Sequence, residues 1–280
     1  MITTSISLGS VVLADVAFDG WSFKDLVDWW GQTEDKEDVI ERPQAHGAFD
    51  VSQSLRTSRA ISLTAQFVGG SQADAEGAFD ELAAVGAEGP VQMVVSTPAG
   101  ASSRVVTVKR VAPLDHHGRR WGEIAVDLIA RDPRRYAVAS EVPWVQTGLA
   151  TPGNGIVWPL VWPLIWPGGG SSGRITLTNT GKAPSAPTFR LYGGFSTALV
   201  TCVETGARIG LDRLVPVGSV VTIDTARRMA TIDGQSDVSR WLRWREWELI
   251  PGGESRTYQF DATAPVGSPI LEGRVLSAWW

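Results

Sequence analysis

The side chains of this sequence best suited to acid–base or metal chemistry near neutral pH are its three histidines. His116 and His117 are adjacent and follow Asp115, whereas His46 stands alone beside a proline-containing stretch. Adjacent ligands on a tight turn rarely converge on one ion without a third donor from a distant part of the chain. The pattern therefore predicts no metal site.

The familiar nucleophile and phosphate motifs do not occur in the sequence. Cys202 is the single cysteine, so no intrachain disulfide can form, and without a neighbouring base it is predicted to be a small buried residue. The glycines at 168–170 precede a predicted strand, whereas a phosphate site needs a helix N-terminus. Asp224 and Asp233 flank a hairpin pattern and are expected to be turn residues. We expect no enzymatic activity, no cofactor and no metal.

The elements of the first half are predicted to be strands with one helix. Residues 61–67 alternate apolar and polar side chains, which is the period of a half-buried strand. Ser71 stands three residues before Asp74, a capping pair that predicts a helix start. The apolar stripe of this helix is predicted to consist of Ala75, Phe79, Leu82 and Ala83, and Gly86 is predicted to end the helix. Further strands are predicted at residues 91–95, 104–111 and 124–128, and Asp132-Pro133 closes the unit.

Residues 28–43 carry no regular pattern. Two tryptophans, Trp29 and Trp30, precede an acidic-rich run at residues 34–38, and Glu41 follows. This composition predicts a strand end followed by a long polar loop. Loops of this length in compact domains are usually functional or mobile, and a merely solvated loop is the simpler interpretation.

Three Trp-Pro pairs spaced four residues apart mark the start of the second half, at Trp158, Trp162 and Trp166. A proline at every fourth position excludes a helix, so the segment is predicted to be extended. The three tryptophans then share one face of the strand. The three prolines that follow them lack an N–H donor and lie along one edge, which only an edge strand tolerates.

The second half continues with evenly spaced short strands and turns. Composition shifts to linker residues at 136–155, and strands are predicted around 175–178, 189–192, 199–203, 208–209, 220–223, 229–232 and 258–260. This spacing is typical of a β-sandwich. Trp241, Trp244 and Trp247 have helical spacing, but the charged residues between them favour either a strand with a bulge or an irregular approach, ending at residues 247–250.

Length, charge and hydropathy limit the functional classes. At 280 residues the chain suffices for two domains, and a formal net charge of -5 argues against a dedicated nucleic-acid binder. We find no apolar run of about 18 residues and no signal-peptide pattern at the N-terminus. The protein is therefore expected to be synthesised and folded in a cytoplasm.

An ordered set of signals in the second half resembles a known family. These signals are Asn179-Thr180-Gly181, Pro184, Pro187, residues 189–193, Glu204-Thr205-Gly206, residues 218–224, Arg227-Arg228, Asp233-Gly234, residues 249–253 and the closing residues 274–280. Together with Arg131-Asp132-Pro133 in the first half, they resemble the distal tail proteins of siphophages, a minor tail or baseplate-hub family. The Trp-Pro repeat departs from the looser aromatic-proline strand of that family.

The resemblance implies a mainly β protein with two domains. Residues 1–137 would form a tail-tube-like β-barrel or sandwich with one flanking helix, and residues 138–280 a galectin-like β-sandwich. It further implies a homohexameric ring in the virion, at the tip of the phage tail, through which DNA passes without specific binding. The implied partners are the tail tube protein, the tape-measure protein, and the baseplate-hub, tail-associated and receptor-binding proteins, with no membrane insertion.

A closed ring needs one patch of each protomer to meet a different patch on its neighbour. Trp29 and Trp30 are candidate interface anchors because tryptophan is enriched at binding hot spots, and the alternative is that both belong to the core of one protomer. The acidic residues Glu34, Asp35, Glu37 and Asp38 are candidates for a ring-to-ring contact or for repulsion of DNA phosphates.

A carbohydrate-binding module is the alternative function. Nine of the 13 tryptophans lie from Trp144 onward, and exposed aromatic faces suit sugar rings. On this interpretation Trp158, Trp162 and Trp166 would form an aromatic surface of the outer domain that contacts host glycans.

Overall fold

The structure, a computed structural model, describes residues 4–15, 19–36, 40–49, 55–115, 120–151 and 170–280. The chain forms two compact units. Unit 1 comprises Met1–Val138 with Trp280, and unit 2 comprises Ala139–Trp279.

In the described part of unit 1, seven strands close into a barrel. Their order around the wall is β6-β5-β1-β2-β3-β4-β7, and the pairing of β7 with β6 closes the ring. Neighbouring strands are antiparallel except β2 and β3, which are parallel. An eighth strand, β8, pairs with β6. The strands are β1 (Ser5–Leu8), β2 (Val11–Ala14), β3 (Gly20–Val27), β4 (Arg59–Val68), β5 (Val91–Thr97), β6 (Gly100–Asp115), β7 (Trp121–Ala130) and β8 (Arg135–Ala137).

The barrel core follows from the alternation predicted for β4 and β7. The inward side chains of β4 are Ile61, Leu63 and Ala65, each at most 1% exposed. Their register partners across the pair are Leu128, Val126 and Ile124 of β7. A side chain on every second residue thus enters one closed interior, which is why the period of two was a reliable signal.

The predicted helix is α1 (Gln72–Ala84), and its start is confirmed. The Ser71 hydroxyl accepts from the Asp74 N–H at 3.2 Å, and the Asp74 carboxylate accepts from the Ser71 N–H at 2.9 Å, which completes a capping box. Its buried face consists of Ala75, Ala78, Phe79 and Leu82. The prediction for Ala83 was wrong: it is exposed, because the apolar face turns through Ala78 instead.

The described part of unit 2 contains two antiparallel sheets. One has six strands in the order β16-β15-β14-β11-β19-β9, and the other has five in the order β10-β18-β12-β13-β17. The elements are β9 (Val145–Gly148), β10 (Arg174–Thr178), β11 (Pro187–Tyr192), β12 (Thr197–Cys202), β13 (Arg208–Leu211), β14 (Val220–Asp224), β15 (Met229–Ile232), β16 (Ser236–Asp237), the 3-10 turn η1 (Ser239–Trp241), β17 (Leu242–Arg243), β18 (Ser255–Thr263), β19 (Ile270–Val275) and β20 (Ala278–Trp279).

The core of unit 2 lies between the two sheets and includes Phe189 of β11 and Tyr258 of β18, whose rings contact edge to face at 4.9 Å between centroids. Gly273 of β19 is the register partner of Phe189, and a Cβ there would come within 2.4 Å of the Ile175 Cδ1 atom. A glycine at this position therefore lets a side chain from the opposite sheet fill the space.

The fold class predicted from the sequence, mainly β with one flanking helix, is confirmed. Asp233 is a turn residue as predicted, and its carboxylate accepts from the Val220 N–H at 2.8 Å. Asp224 is the last residue of β14, and its carboxylate accepts from the Arg227 N–H in the turn that follows, at 3.0 Å. The linker prediction at 136–155 was wrong in detail, since these residues contain β9. Of the two alternatives for the stretch that ends at 247–250, the irregular one is found: after β17 no strand forms, and Ile250 makes only an isolated bridge with Ser185. The left-handed backbone of Trp244 (φ 47°) follows directly on Arg243, where β17 ends.

Candidate assembly interface

A long connection joins β3 to β4, and most of its described residues are exposed. We call residues 30–57 the arm; its described parts are residues 30–36, 40–49 and 55–57. Backbone hydrogen bonds join its two sides, and each measures between 2.8 and 3.0 Å. They run from the N–H groups of Lys36, Arg42, Phe49 and Thr57 to the carbonyls of Leu55, Gly47, Ile40 and Glu34, respectively. The polar loop predicted from the sequence is thus a hairpin-like extension with its own pairing.

Two arginines inside unit 1, Arg59 and Arg104, fix the base of the arm. They are 3% and 2% exposed. Arg59 donates to the carbonyls of residues 28, 30, 31 and 133 at 2.7–3.3 Å. Arg104 donates to the carbonyls of Trp29 and Pro133. Burial, together with the charge of Arg59, lowers the pKa of Arg104 to about 9, which leaves the guanidinium charged at neutral pH.

The two adjacent tryptophans have different environments. Trp29 is 0% exposed, and its ring lies 4.5 Å from the Arg104 guanidinium carbon in a cation–π contact. Its side chain therefore lies in the core of unit 1, the alternative that the sequence left open. Trp30 is 51% exposed and begins the arm. A single step along the chain, beyond the end of β3 at Val27, thus separates a core residue from a surface one.

A second polar cluster lies in the residues that directly follow β7. The Asp132 carboxylate accepts from the Arg134 guanidinium at 2.8 and 2.9 Å and from the Tyr136 hydroxyl at 2.6 Å. Burial alone would raise the pKa of Asp132, but these hydrogen bonds outweigh it and hold that pKa below its ordinary value. The Asp132-Pro133 signal thus marks a fixed corner, and the Pro133 carbonyl of this corner is the one that Arg59 and Arg104 share.

The arm presents large apolar side chains to solvent. Besides Trp30, they are Ile40, Phe49 and Leu55, which are 63%, 59% and 57% exposed. The Arg42 guanidinium carbon lies 5.7 Å from the centre of the Phe49 ring. Apolar groups concentrated on one exposed segment, with charged residues beside them, are typical of a protein-binding surface.

The acidic candidates lie on the same segment. Glu34 and Asp35 are exposed, and Asp35 forms an ion pair with Arg56 across the arm at 2.8 Å. Glu37 and Asp38 lie outside the described residues. The structure thus gives Asp35 a local partner, and such an exposed pair contributes only about 0–1 kcal/mol to stability.

The remaining candidate residues fall into three groups. His46 lies in the arm, near its tip, and is exposed. Outside the described part lie Trp158, Trp162, Trp166, His116 and His117. Cys202 is buried in unit 2, and burial raises the pKa of its thiol.

Metal-binding clusters and membrane-spanning helices are both missing from the described ranges. Within residues 4–280 less the gaps, no group of three or more His, Cys, Asp and Glu side chains is arranged to hold a metal ion. No helix among these residues has the length and apolarity to cross a membrane.

No family model matches the sequence, and no curated protein does. Solved structures do match. The Dit protein (gp 19.1) of phage SPP1, described as a paradigm of the hub adsorption apparatus in phages that infect Gram-positive bacteria, superposes with a TM-score of 0.63 over 98% of this chain and 99% of that one, at 14% identity. This chain has the fold of a Dit protein.

Two baseplate structures of phage P2 in the activated conformation give the same result. A chain of the form with Ca superposes with a TM-score of 0.55 at 12% identity, over 98% of both chains. A chain of the form with Sr gives 0.52 at 12% identity, over 94% of this chain and 99% of that one. The resemblance to the distal tail family seen in the sequence is thus confirmed at the level of the whole fold.

Sequence reasoning missed Arg59 and Arg104, although a signal for them exists. Arg59 shares the odd-numbered parity of Ile61 and Leu63, and Arg104 shares the even-numbered parity of Val106. An arginine in the apolar phase of a predicted strand points into the core, so a buried hydrogen-bonding role could have been expected.

Proposed function

We propose that this protein is a structural component of a phage tail tip, where it forms a homohexameric ring at the end of the tail tube. In this role it is a hub that joins the tube to baseplate and receptor-binding components and leaves a channel for DNA. The observation that carries the proposal is the superposition with the SPP1 Dit protein, which spans both units from end to end.

The shape of unit 1 supports assembly through the arm. In the part that the structure describes, the barrel is closed, so its seven strands offer no free edge for strand-to-strand pairing with a neighbour. Side chains and projecting segments must then provide the contacts. The arm supplies exposed apolar anchors on a base fixed by buried arginines, and a ring requires such a patch to meet a different surface of the next protomer.

The charge of the chain supports passage of DNA without retention. Each phosphate contact by a lysine or arginine adds to affinity, so a channel for ejection should present few cations. The formal net charge of -5 and the exposed Glu34 and Asp35 on the arm agree with this requirement. The proposal also includes contacts with tail tube and tape-measure proteins, synthesis in the host cytoplasm and location in the virion.

Native mass spectrometry of the purified full-length chain tests the ring. We expect a species of six times the 30.1 kDa protomer mass, whose fraction increases with protein concentration. Ile40→Ser on the arm should shift the distribution toward the monomer, because a buried apolar anchor is replaced by a polar one. Leu214→Ser is the matched control, since Leu214 is 69% exposed but lies in unit 2.

Two outcomes would contradict the proposal. One is a strictly monomeric wild-type chain at every concentration, also when the tail tube protein of the same phage is added. The other is an equal loss of the oligomer in the Ile40 and Leu214 variants, which would move the interface away from the arm.

A further inference from the structure

An open depression of about 380 Å³ lies on the outer face of the five-stranded sheet of unit 2. Its volume falls within the range of about 300–1,000 Å³ that is typical of small-molecule sites. Its lining combines one indole ring with carboxylates, hydroxyls and a guanidinium. The residues that carry the argument are Thr197, Leu199, Asp212, Arg243, Trp244 and Asp261.

Trp244 forms a fixed aromatic wall. Its side chain is 50% exposed, and its backbone takes the left-handed conformation with φ 47°. The ring packs on Gly210, where a Cβ would come within 2.6 Å of the Trp244 Cε3 atom. Any other residue at Gly210 would therefore displace the indole. A backbone strained in this way, held by close packing, is a feature found at preorganised binding sites.

Strand register places an apolar floor beside the ring. Leu199 of β12 lies between Gly210 of β13 and Asp261 of β18, since both are its register partners. The next row along the sheet pairs Thr197 with Thr263, and their hydroxyl oxygens are 2.6 Å apart. Across β13, β12 and β18, one row of the sheet thus presents the Trp244 ring over Gly210, then the Leu199 side chain, then the Asp261 carboxylate.

Charged groups rim the floor. Arg243 forms an ion pair with Asp212 at 2.6 Å, which orients both groups at the edge of the depression. The Asp261 side chain is exposed, and among the described residues no hydrogen bond or ion pair involves its carboxylate. The charged lining residues are thus two carboxylates and one guanidinium, a net negative set. The Arg208 guanidinium, 5.6 Å from the centre of the Trp244 ring, has its own ion pair with Glu246 at 3.5 Å.

We propose that this depression binds a neutral hexopyranose unit of a glycan. The apolar face of a pyranose ring packs on an exposed indole, and carboxylates accept hydrogen bonds from vicinal hydroxyls. Arg243, oriented by Asp212, donates to ring or hydroxyl oxygens. The negative rim disfavours phosphorylated ligands. Binding at this site is a property of unit 2 and does not depend on ring formation.

Isothermal titration of the full-length chain with methyl glycosides of glucose, galactose, mannose and N-acetylglucosamine tests the site. We expect saturable binding of at least one glycoside. Trp244→Ala should weaken that binding by about tenfold or more, because it removes the aromatic wall. Trp241→Ala is the matched control: Trp241 is 41% exposed, three residues away, and does not line the depression. Asp261→Asn removes the acceptor charge with little change of shape and should weaken binding in the same way.

Three outcomes would overturn the proposal. The first is no binding of any of the four glycosides to the wild-type chain. The second is equal weakening by Trp241→Ala and Trp244→Ala in variants that keep the wild-type circular dichroism spectrum. The third is tighter binding of glucose 6-phosphate than of methyl glucoside. Native mass spectra of the same samples report the ring separately, so failure here and failure of the hub proposal are distinguishable.

Discussion

Single residues in the core of unit 1 determine how the arm leaves the barrel. Arg59 and Arg104 occupy core-facing positions and donate to carbonyls of residues 28–31 and of Pro133. Backbone carbonyls that leave a sheet need new partners, and buried ones without a partner cost about 1–3 kcal/mol each. The two guanidinium groups supply these partners at once, so the start of the arm is part of the folded core.

Removing one of these arginines should therefore destabilise the protein more than removing a surface one. We expect Arg104→Leu to lower the free energy of unfolding by about 3 kcal/mol, because the Trp29 carbonyl loses its donor, the Pro133 carbonyl keeps only the one from Arg59, and the Trp29 ring loses its cation–π contact. Arg110→Leu on the same strand is the control and should change it by less than about 0.5 kcal/mol, since Arg110 is exposed. Urea unfolding followed by tryptophan fluorescence gives both values; similar values for the two variants would refute this role of Arg104.

The residues that sequence reasoning identified correctly act over short distances. Ser71 and Asp74 cap each other three positions apart, and Asp224 accepts from the N–H group three residues later. The role of Arg104 was not accessible in the same way, because its partners Trp29 and Pro133 lie 75 and 29 residues away. Only the closure of the barrel brings them together.

At the scale of elements, α1 is the clearest case in which local chemistry sets a boundary. We expect Ser71→Ala to lower the free energy of unfolding by about 1 kcal/mol, because the Asp74 N–H loses its acceptor. Glu81→Ala, an exposed site on the same helix, is the control and should change it by less than about 0.5 kcal/mol. Thermal unfolding of the three proteins measures the difference, and equal midpoints would contradict the capping role.

Strands were predictable where one face is buried and the other is not. β4 and β7 alternate in this way over much of their length, so the period of two is visible in the sequence. β9 has no buried residue, so its sequence shows no alternation of apolar and polar side chains. Its extended conformation comes instead from backbone pairing with β19. The polar loop predicted at residues 28–43 covers only the first part of the arm, and the pairing of that part with residues 47–57 carries no periodic signal in the sequence.

At the scale of the whole molecule, the two units have separate hydrophobic cores. We propose that residues 1–137 and 138–280 are the two domains, the first ring-forming and the second outward-facing. Each fragment should then unfold in one cooperative transition when expressed alone, because each keeps its own core. Circular dichroism during urea titration tests this. A fragment without a cooperative transition would show that the boundary is wrong.

The whole fold persists at sequence identities of only 12–14% with the matched structures. Core positions accept many apolar side chains of suitable volume, so the pattern survives while the residues change. This explains how an ordered set of weak signals indicated the fold when no single motif did. It also explains why the depression at Trp244 was not foreseen: its walls come from four strands and the segment after β17.

The number of strands in the barrel has a topological consequence. Directions can alternate all the way around a ring only if the number of strands is even, so a closed ring of seven must contain at least one pair that runs the same way. Here that pair is β2 and β3, for which the described residues place Ala14 opposite Ser22 in register. The parallel seam is thus required by parity, and it is the one position in the wall that an added or deleted strand could restore to full alternation.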